Sequence, residues 1–340
     1  MKISKIISLN LLIFIIGLLI LELIFGSWFK KDSFGYAIRD QRNVKIPISV
    51  KYDQKKYNYF FERNDLGFIG DEIDPKEIDV VFLGGSTGEE MFIPPKYRIV
   101  DQLNLKLKKD DFDIKIINAS KGGKSTRGYV NDFKYWFPKI ESFKPKIVIF
   151  YIGVNDSGLD VPKHFDNVER LKFSERAEDY IKNNSIFYKI KKKIENKYFN
   201  NLRKYYGLFE ENLYENYNFI SYTDAKKLFL EKKIDDQNQN VLNNFSKNLD
   251  NLNKIIIAKK FEPIFITQVM FDGVSNHNLF IVNEYLKNFC EKNNYKIIKL
   301  DEIIDTFDNG DFYDKVHTTI KGSTKLSEVI YLSLKKILVN

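Results

Sequence analysis

Cysteine is almost absent. The 340-residue chain holds one, Cys290, which excludes an internal disulfide framework and a Cys-rich zinc module. Histidine is nearly as scarce: with only His164, His277 and His317, imidazole chemistry has three candidates. No block of five or more consecutive basic residues occurs, although Lys plus Arg number 54 against 46 for Asp plus Glu. The net charge of +8 therefore reads as a solvated surface, and no nucleic-acid partner is expected. No internal repeat or low-complexity tract is evident. Past the N-terminus, no apolar stretch is long enough to cross a membrane. Against these absences stand 44% hydrophobic and 15% aromatic residues, enough to bury a core and to exclude wholesale disorder.

The N-terminus carries one long apolar run, Ile6 to Phe29. As a helix it would be about 36 Å long, enough for a hydrocarbon core of about 30 Å. Glu22 is its one charge and lies toward the C-terminal end, within reach of the interface, where Trp28 also suits the aromatic belt. No small-x-small cleavage site follows, only Phe25-Gly26-Ser27-Trp28-Phe29, so residues 1–29 read as an uncleaved single anchor rather than a signal peptide. Lys2 and Lys5 precede the run; Lys30, Lys31, Arg39 and Arg42 follow it. Taken literally, the positive-inside rule puts the large domain in the cytoplasm. Residues 30–75, aromatic and polar, read as a juxtamembrane lead-in packed on the main domain.

Short apolar runs follow, separated by helix-length segments: Ile78 to Leu83, Ile114 to Ile117, Ile147 to Tyr151, Ile264 to Thr267 and Tyr295 to Leu300. Strands rich in Ile, Val and Phe alternating with helices predict a parallel sheet covered on both faces, with its sites in the loops at the carboxyl edge. One interval breaks the rhythm. Residues 160–245, charged and rich in Lys and Asn, read as an inserted helical subdomain; within them Lys189 to Tyr206 is a basic amphipathic stretch. A lid or a surface for a polymeric substrate is the sharper reading of the same segment.

Four loops hold small or polar residues that packing does not require. After the first strand comes Gly84-Gly85-Ser86-Thr87-Gly88, where flanking glycines let a hydroxyl project above the sheet edge. After the second comes Asn118 to Thr126, in which Gly122 or Gly123 can turn a backbone N–H toward a developing oxyanion. Gly123-Lys124-Ser125 also ends like a P-loop, but the glycine required five positions earlier is Asn118, so the phosphate cradle is incomplete. After the third strand comes Gly153-Val154-Asn155-Asp156, whose Asn amide is an uncharged double donor. Near the C-terminus, Asp314-Lys315-Val316-His317 places a carboxylate three residues before an imidazole, so that a turn can join them and leave the second ring nitrogen for Ser86. His164, on the insertion, and His277, expected on a loop after the fourth strand, have no acid at that spacing.

In this order the four loops resemble the blocks of the SGNH (GDSL-type) hydrolases, from about Ile78 to the C-terminal helix apart from the insertion. Ser86 falls on the nucleophile block, although the family's Gly-Asp-Ser reads Gly84-Gly85-Ser86 here. Gly123 falls on the second-block glycine, Asn155 lies in Gly-x-Asn-Asp, and Asp314 and His317 match the final Asp-x-x-His. The resemblance implies a flavodoxin-like three-layer α/β/α domain of about five parallel strands over residues 76–340, interrupted by the helical insertion at about 160–245. It implies Ser86 as nucleophile, His317 as base and Asp314 as its partner. The oxyanion hole would be the N–H groups of Ser86 and Gly123 with the Asn155 amide. No metal or diffusible cofactor is implied. An α/β-hydrolase elbow, literally Gly-x-Ser-x-Gly, fits less well: here the Ser follows the first strand, and acid and His share one loop. The departure at Gly85 suggests a divergent branch resembling membrane-anchored proteins of bacterial envelope glycan metabolism. That implies an outward-facing domain, against the loop charges, and an acylated glycan or other ester as substrate. Esterase or deacetylase, O-acyltransferase and non-catalytic envelope scaffold are the three readings. The complete set of Ser, Gly, Asn, Asp and His speaks against the last.

Overall fold

The structure is a computed structural model and describes residues 2–29, 34, 38, 41–52, 54–158, 173–199, 205–207, 221–231, 234–269 and 277–339. The chain forms two compact units, residues 1–39 with 169–204 and residues 40–168 with 205–340.

The larger unit is built on five strands. They are β3 (Val80–Gly84), β4 (Ile116–Asn118), β5 (Ile147–Tyr151), β7 (Glu262–Ile266) and β8 (Lys296–Ile298), in the order β4-β3-β5-β7-β8. All neighbours pair in parallel. Every residue of β3 is buried, as expected for a strand covered on both faces. Alternation along the strand divides the core in two. Val80 and Phe82 join Ile99 and Leu103 of α3 (Ile99–Lys109) with Leu326 and Ile330 of α11 (Ile320–Val339) in one apolar cluster. Phe150 and Phe265 stack at 5.0 Å, and Phe133 and Phe289 meet them from the helices that run beside the sheet. The strand order reverses between β3 and β5, which opens a crevice above their carboxyl ends.

Two expectations about the flanking segments change. The connection into β7 is α9 (Asp236–Lys259), a 24-residue helix opened by a capping box between Asp235 and Asn238. Val241, Phe245, Leu249, Leu252 and Ile256 are buried at helical spacing along it. Residues 236–245 thus belong to the helical layer of the core and not to an insertion reaching 245. Among the described residues of the remainder, 173–199 group with the N-terminal helix, and 205–207 and 221–231 with the unit that holds the sheet. The stretch expected as a lead-in holds a hairpin, β1 (Val44–Tyr52) and β2 (Lys55–Arg63), registered from Val44 opposite Arg63 to Tyr52 opposite Lys55. The short β6 (Tyr205–Gly207) pairs parallel to β1. Ile48, Val50, Tyr52 and Phe61 bury against Ile69 and Ile93 in a second small core. Ile69 bridges both Arg63 and Asn118, joining the hairpin to the end of β4.

The smaller unit contains α1 (Lys2–Phe25), α6 (Phe173–Asn184) and α7 (Ile186–Phe199). Lys5–Phe25, 21 residues, is long and apolar enough to cross a membrane and is unburied; a signal sequence has the same length and composition. The other helices are α2 (Ser86–Glu89), α4 (Thr126–Asn131), α5 (Val154–Ser157), α8 (Tyr222–Glu231) and α10 (His277–Asn293).

The placement of α9 has a direct test. Phe245→Ala should cost about 3–5 kcal/mol of unfolding free energy, the range for emptying a packed aromatic site. Phe173→Ala, at an exposed position, should change it by less than about 0.5 kcal/mol. Denaturant titration of the detergent-solubilised full chain measures both, and a neutral Phe245→Ala would remove the first half of α9 from the core.

Candidate active site

Three loops converge at the carboxyl edge where the strand order reverses. Ser86 opens α2 directly after β3, with Gly85 as the preceding cap residue. A Cβ on Gly85 would lie 2.2 Å from Nδ2 of Asn155, so any larger residue here would require that side-chain amide to shift. Asn155 lies in α5, the short helix after β5, and donates one N–H to the carbonyl of Lys124 at 2.9 Å. Its side chain thereby ties the loops after β4 and β5 together beside Ser86. The second N–H of that amide takes no acceptor among the described residues.

The C-terminal loop supplies the imidazole. Nε2 of His317 lies 2.7 Å from Oγ of Ser86, and Nδ1 lies 2.6 Å from Oδ2 of Asp314. The backbone fixes the carboxylate in turn: Oδ1 of Asp314 accepts the N–H groups of Val316 at 2.8 Å and of His317 at 2.7 Å. This side-chain-closed turn is why acid and base three residues apart face each other. Partial burial works to raise the Asp314 pKa. The bond and charge of His317, with the two backbone donors, outweigh it and hold the carboxyl below its ordinary value. The ring of Tyr313 stacks on that of His317 with centroids 5.5 Å apart and planes 7° from parallel, limiting imidazole rotation.

Of the two glycines expected as backbone donors, Gly122 gives its N–H to Oε2 of Glu89 at 2.7 Å. Gly123 has φ +77°, a left-handed conformation that glycine adopts without strain. The N–H of Gly122 is thus committed to a carboxylate at the end of α2, which leaves Gly123 as the candidate backbone donor in this loop. Lys124 turns inward: it is buried, with Nζ at 2.6 and 2.7 Å from the two carboxylate oxygens of Asp132. Its ammonium is spent on that pair, so the P-loop reading lacks its lysine as well as its glycine.

Of the other histidines, His277 is the first residue of α10 rather than a loop residue, and is buried and stacked on Phe229 at 5.1 Å. His164 lies outside the described residues. Among the described residues no group of three or more His, Cys, Asp or Glu is arranged to hold a metal ion.

Several buried polar residues support the site, and of these only Asp156 lies in one of the four motif loops. Gln268, just past β7, accepts the N–H of Val154 at 2.6 Å and donates to Thr87 Oγ1 at 2.8 Å and to the Tyr151 carbonyl at 3.2 Å. One amide thus fixes the starts of α2 and α5. Asp156 accepts the N–H and hydroxyl of Thr126 at 3.1 and 3.0 Å. Arg63, from β2, donates to Glu89 at 2.7 Å and to the Ser120 carbonyl at 2.5 Å, so the hairpin braces α2. Glu90, in the left-handed region at φ +48°, accepts the N–H of Ile99 and the hydroxyl of Ser323, each at 2.5 Å.

No family model and no curated protein matches the chain. Solved structures do. A crystal structure of an acetyl xylan esterase is 14% identical with a TM-score of 0.41, over 76% of this chain and all of that one. A psychrotrophic esterase from Pseudoalteromonas sp. is 15% identical with a TM-score of 0.41, over 77% and 100%. A lipase/acylhydrolase from Enterococcus faecalis is 14% identical with a TM-score of 0.43, over 76% and 96%. At these values the likeness decides nothing about activity; the geometry at Ser86 has to.

Glu90 generates a pH prediction. Burial raises its pKa to about 8, against the opposing pull of Ser323, Ile99 and Arg98. The folded state therefore holds a proton that the unfolded chain releases near its ordinary value of about 4.3. The resulting stabilisation is complete below that value and is lost as pH rises through about 8. Urea midpoints should fall between pH 5 and pH 9, and Glu90→Gln should flatten that fall. An unchanged slope in the variant would assign the loss to other groups.

Proposed function

We propose that the chain is an SGNH-type serine hydrolase that removes O-acyl groups, acetyl first among them, from an envelope carbohydrate through an acyl-serine. The observation that carries this is the continuous chain Ser86 Oγ, His317 Nε2, His317 Nδ1, Asp314 Oδ2, with steps of 2.7 and 2.6 Å across the ring. The order of the four loops and their place at the carboxyl edge support the same family. The carbohydrate rests on the resemblance to membrane-anchored envelope proteins and on the apolar α1.

In this mechanism His317 Nε2 takes the proton of Ser86 as Oγ attacks the ester carbonyl. Asp314 holds the tautomer that leaves Nε2 unprotonated and stabilises the imidazolium that forms. The N–H groups of Ser86 and Gly123 and the free N–H of the Asn155 amide receive the oxyanion. The carbonyl re-forms, the sugar alkoxide leaves with the proton from His317, and the acyl group stays on Ser86. Water activated by the same imidazole then releases the carboxylic acid. A sugar hydroxyl in place of that water would give O-acyl transfer.

Purified full-length protein given an activated acetyl ester should show an acetyl adduct on Ser86 by mass spectrometry. Acetate release unaffected by a sugar acceptor is the hydrolase outcome; acetylated acceptor is the transferase outcome; no adduct and no turnover would leave a scaffold. Ser86→Ala and His317→Ala should each abolish turnover, because the two act as one unit. Asp314→Asn should keep the fold and lower turnover strongly. Asn155→Ala should cost about 10²–10³ in turnover, the range for one oxyanion donor. Turnover that survives His317→Ala but not His277→Ala would overturn the assignment.

The proposed orientation is outward, with α1 as the anchor. Protease added to intact spheroplasts should digest the catalytic domain. Full protection there, with digestion after lysis, would place it in the cytoplasm as the loop charges suggest.

A further inference from the structure

We infer that α7 lies in the membrane–water interface, with Phe187, Ile190 and Ile194 at the boundary of headgroups and acyl chains and the neighbouring lysines on anionic lipid headgroups. The inference rests on α1 spanning the membrane and on nothing in the catalytic reading.

The first observation is how α6 and α7 are fastened to the end of α1. The carboxylate of Glu22 accepts the N–H of Ile186, the first residue of α7, at 3.0 Å. Just past α1, Ser27 donates its N–H to the Asn184 carbonyl at 2.8 Å, and Lys189 donates to Oγ of Ser27 at 2.5 Å. The Tyr180 hydroxyl donates to the Trp28 carbonyl at 3.2 Å, and the two rings meet edge to face at 5.8 Å. The turn between α6 and α7 is thus pinned at three successive points, Glu22, Ser27 and Trp28. Glu22 is three residues from the end of α1, about 4.5 Å along the axis. If α1 spans, this junction lies at the membrane surface, and α7 starts there.

The second observation is the face that α7 leaves uncovered. Phe187, Ile190 and Ile194 are 40%, 47% and 50% exposed. Their spacing of three and four places them on one side of the helix. At about 100° per residue, Lys191 borders that stripe on one side and Lys193 on the other, with Lys189 further round. A narrow apolar stripe edged by lysines is the composition of a helix lying in an anionic interface. The juxtaposition also accounts for Glu22. A carboxylate in an apolar run is costly unless paired, and this one meets the positive end of a helix whose N–H group needs an acceptor.

The test uses the full chain in nanodiscs of mixed phosphatidylglycerol and phosphatidylcholine, with a nitroxide at Ile190→Cys. Leu12→Cys, within the span, and Ile257→Cys, exposed on α9, are the references; Cys290 is buried and stays. Accessibility to oxygen against a water-soluble nickel chelate reports depth. The Ile190→Cys label should show an oxygen-to-nickel ratio several-fold above that of Ile257→Cys and below that of Leu12→Cys. Discs of phosphatidylcholine alone, or Lys191→Gln with Lys193→Gln, should move it toward the aqueous value. A deep Leu12→Cys with Ile190→Cys as aqueous as Ile257→Cys would overturn the inference and leave the anchor standing. An aqueous Leu12→Cys would overturn the anchor itself, and this inference with it. Exclusion of both reagents from Ile190→Cys would mean that protein covers the stripe, and would overturn it too.

Discussion

A hydroxyl at residue 86 and an imidazole at residue 317 meet at 2.7 Å because a parallel sheet delivers the carboxyl ends of its strands to one edge. Each crossover returns the chain to the opposite edge, so every functional loop starts from the same rim. Ser86 and Asn155 follow the two strands between which the order reverses, and the Gly122–Gly123 loop follows the neighbour of the first. His317 comes from beyond the last strand, on the loop that enters α11. The site depends on that rim more than on any single contact.

Holding the rim still requires polar groups inside an apolar body, and each has to be paired there. Gln268 places one amide between the Thr87 hydroxyl of α2, the Tyr151 carbonyl of β5 and the Val154 N–H that opens α5. Arg63 and Glu89 do similar work from the hairpin side, and Glu89 also takes up the Gly122 N–H. Lys124 and Asp132 are nearly fully buried as a pair. Such a pair adds little net stability, but losing one partner strands the other charge, typically at 3–5 kcal/mol. The three arrangements share one effect: they remove alternatives for loops that would otherwise be loosely specified.

Much of this was legible from residue order. The β-branched runs marked the five strands, because strands buried on both faces read as unbroken apolar segments. Ser86, Asn155, Asp314 and His317 stood out because small or polar residues past a strand end have no packing role. What escaped had a common cause. Gln268, Arg63 and Glu89 act through partners up to 181 residues away, and no local spacing announces a long-range hydrogen bond. The start of α9 was hidden by composition. Its Asn-rich sequence looks like a solvated insertion, although Val241, Phe245, Leu249, Leu252 and Ile256 already carry the helical period. At Lys124 the structure agrees with the sequence, which already lacked the first glycine of a phosphate loop: the lysine is withdrawn by an aspartate eight residues on.

The same accounting of buried and capping groups bears on the N-terminal helix. Glu22 accepts the N–H of Ile186, and Ser27 donates its own to Asn184. Without α1 and its exit, the first turn of α7 loses its acceptor, the carbonyl closing α6 loses its donor, and Tyr180 loses both its hydroxyl partner and its ring contact with Trp28. Helix ends stripped in this way fray. Residues 2–28 therefore belong to the fold of residues 173–199 in the same sense that β1 and β2 belong to the fold around Ser86: each segment supplies hydrogen-bond partners that the neighbouring chain cannot supply for itself.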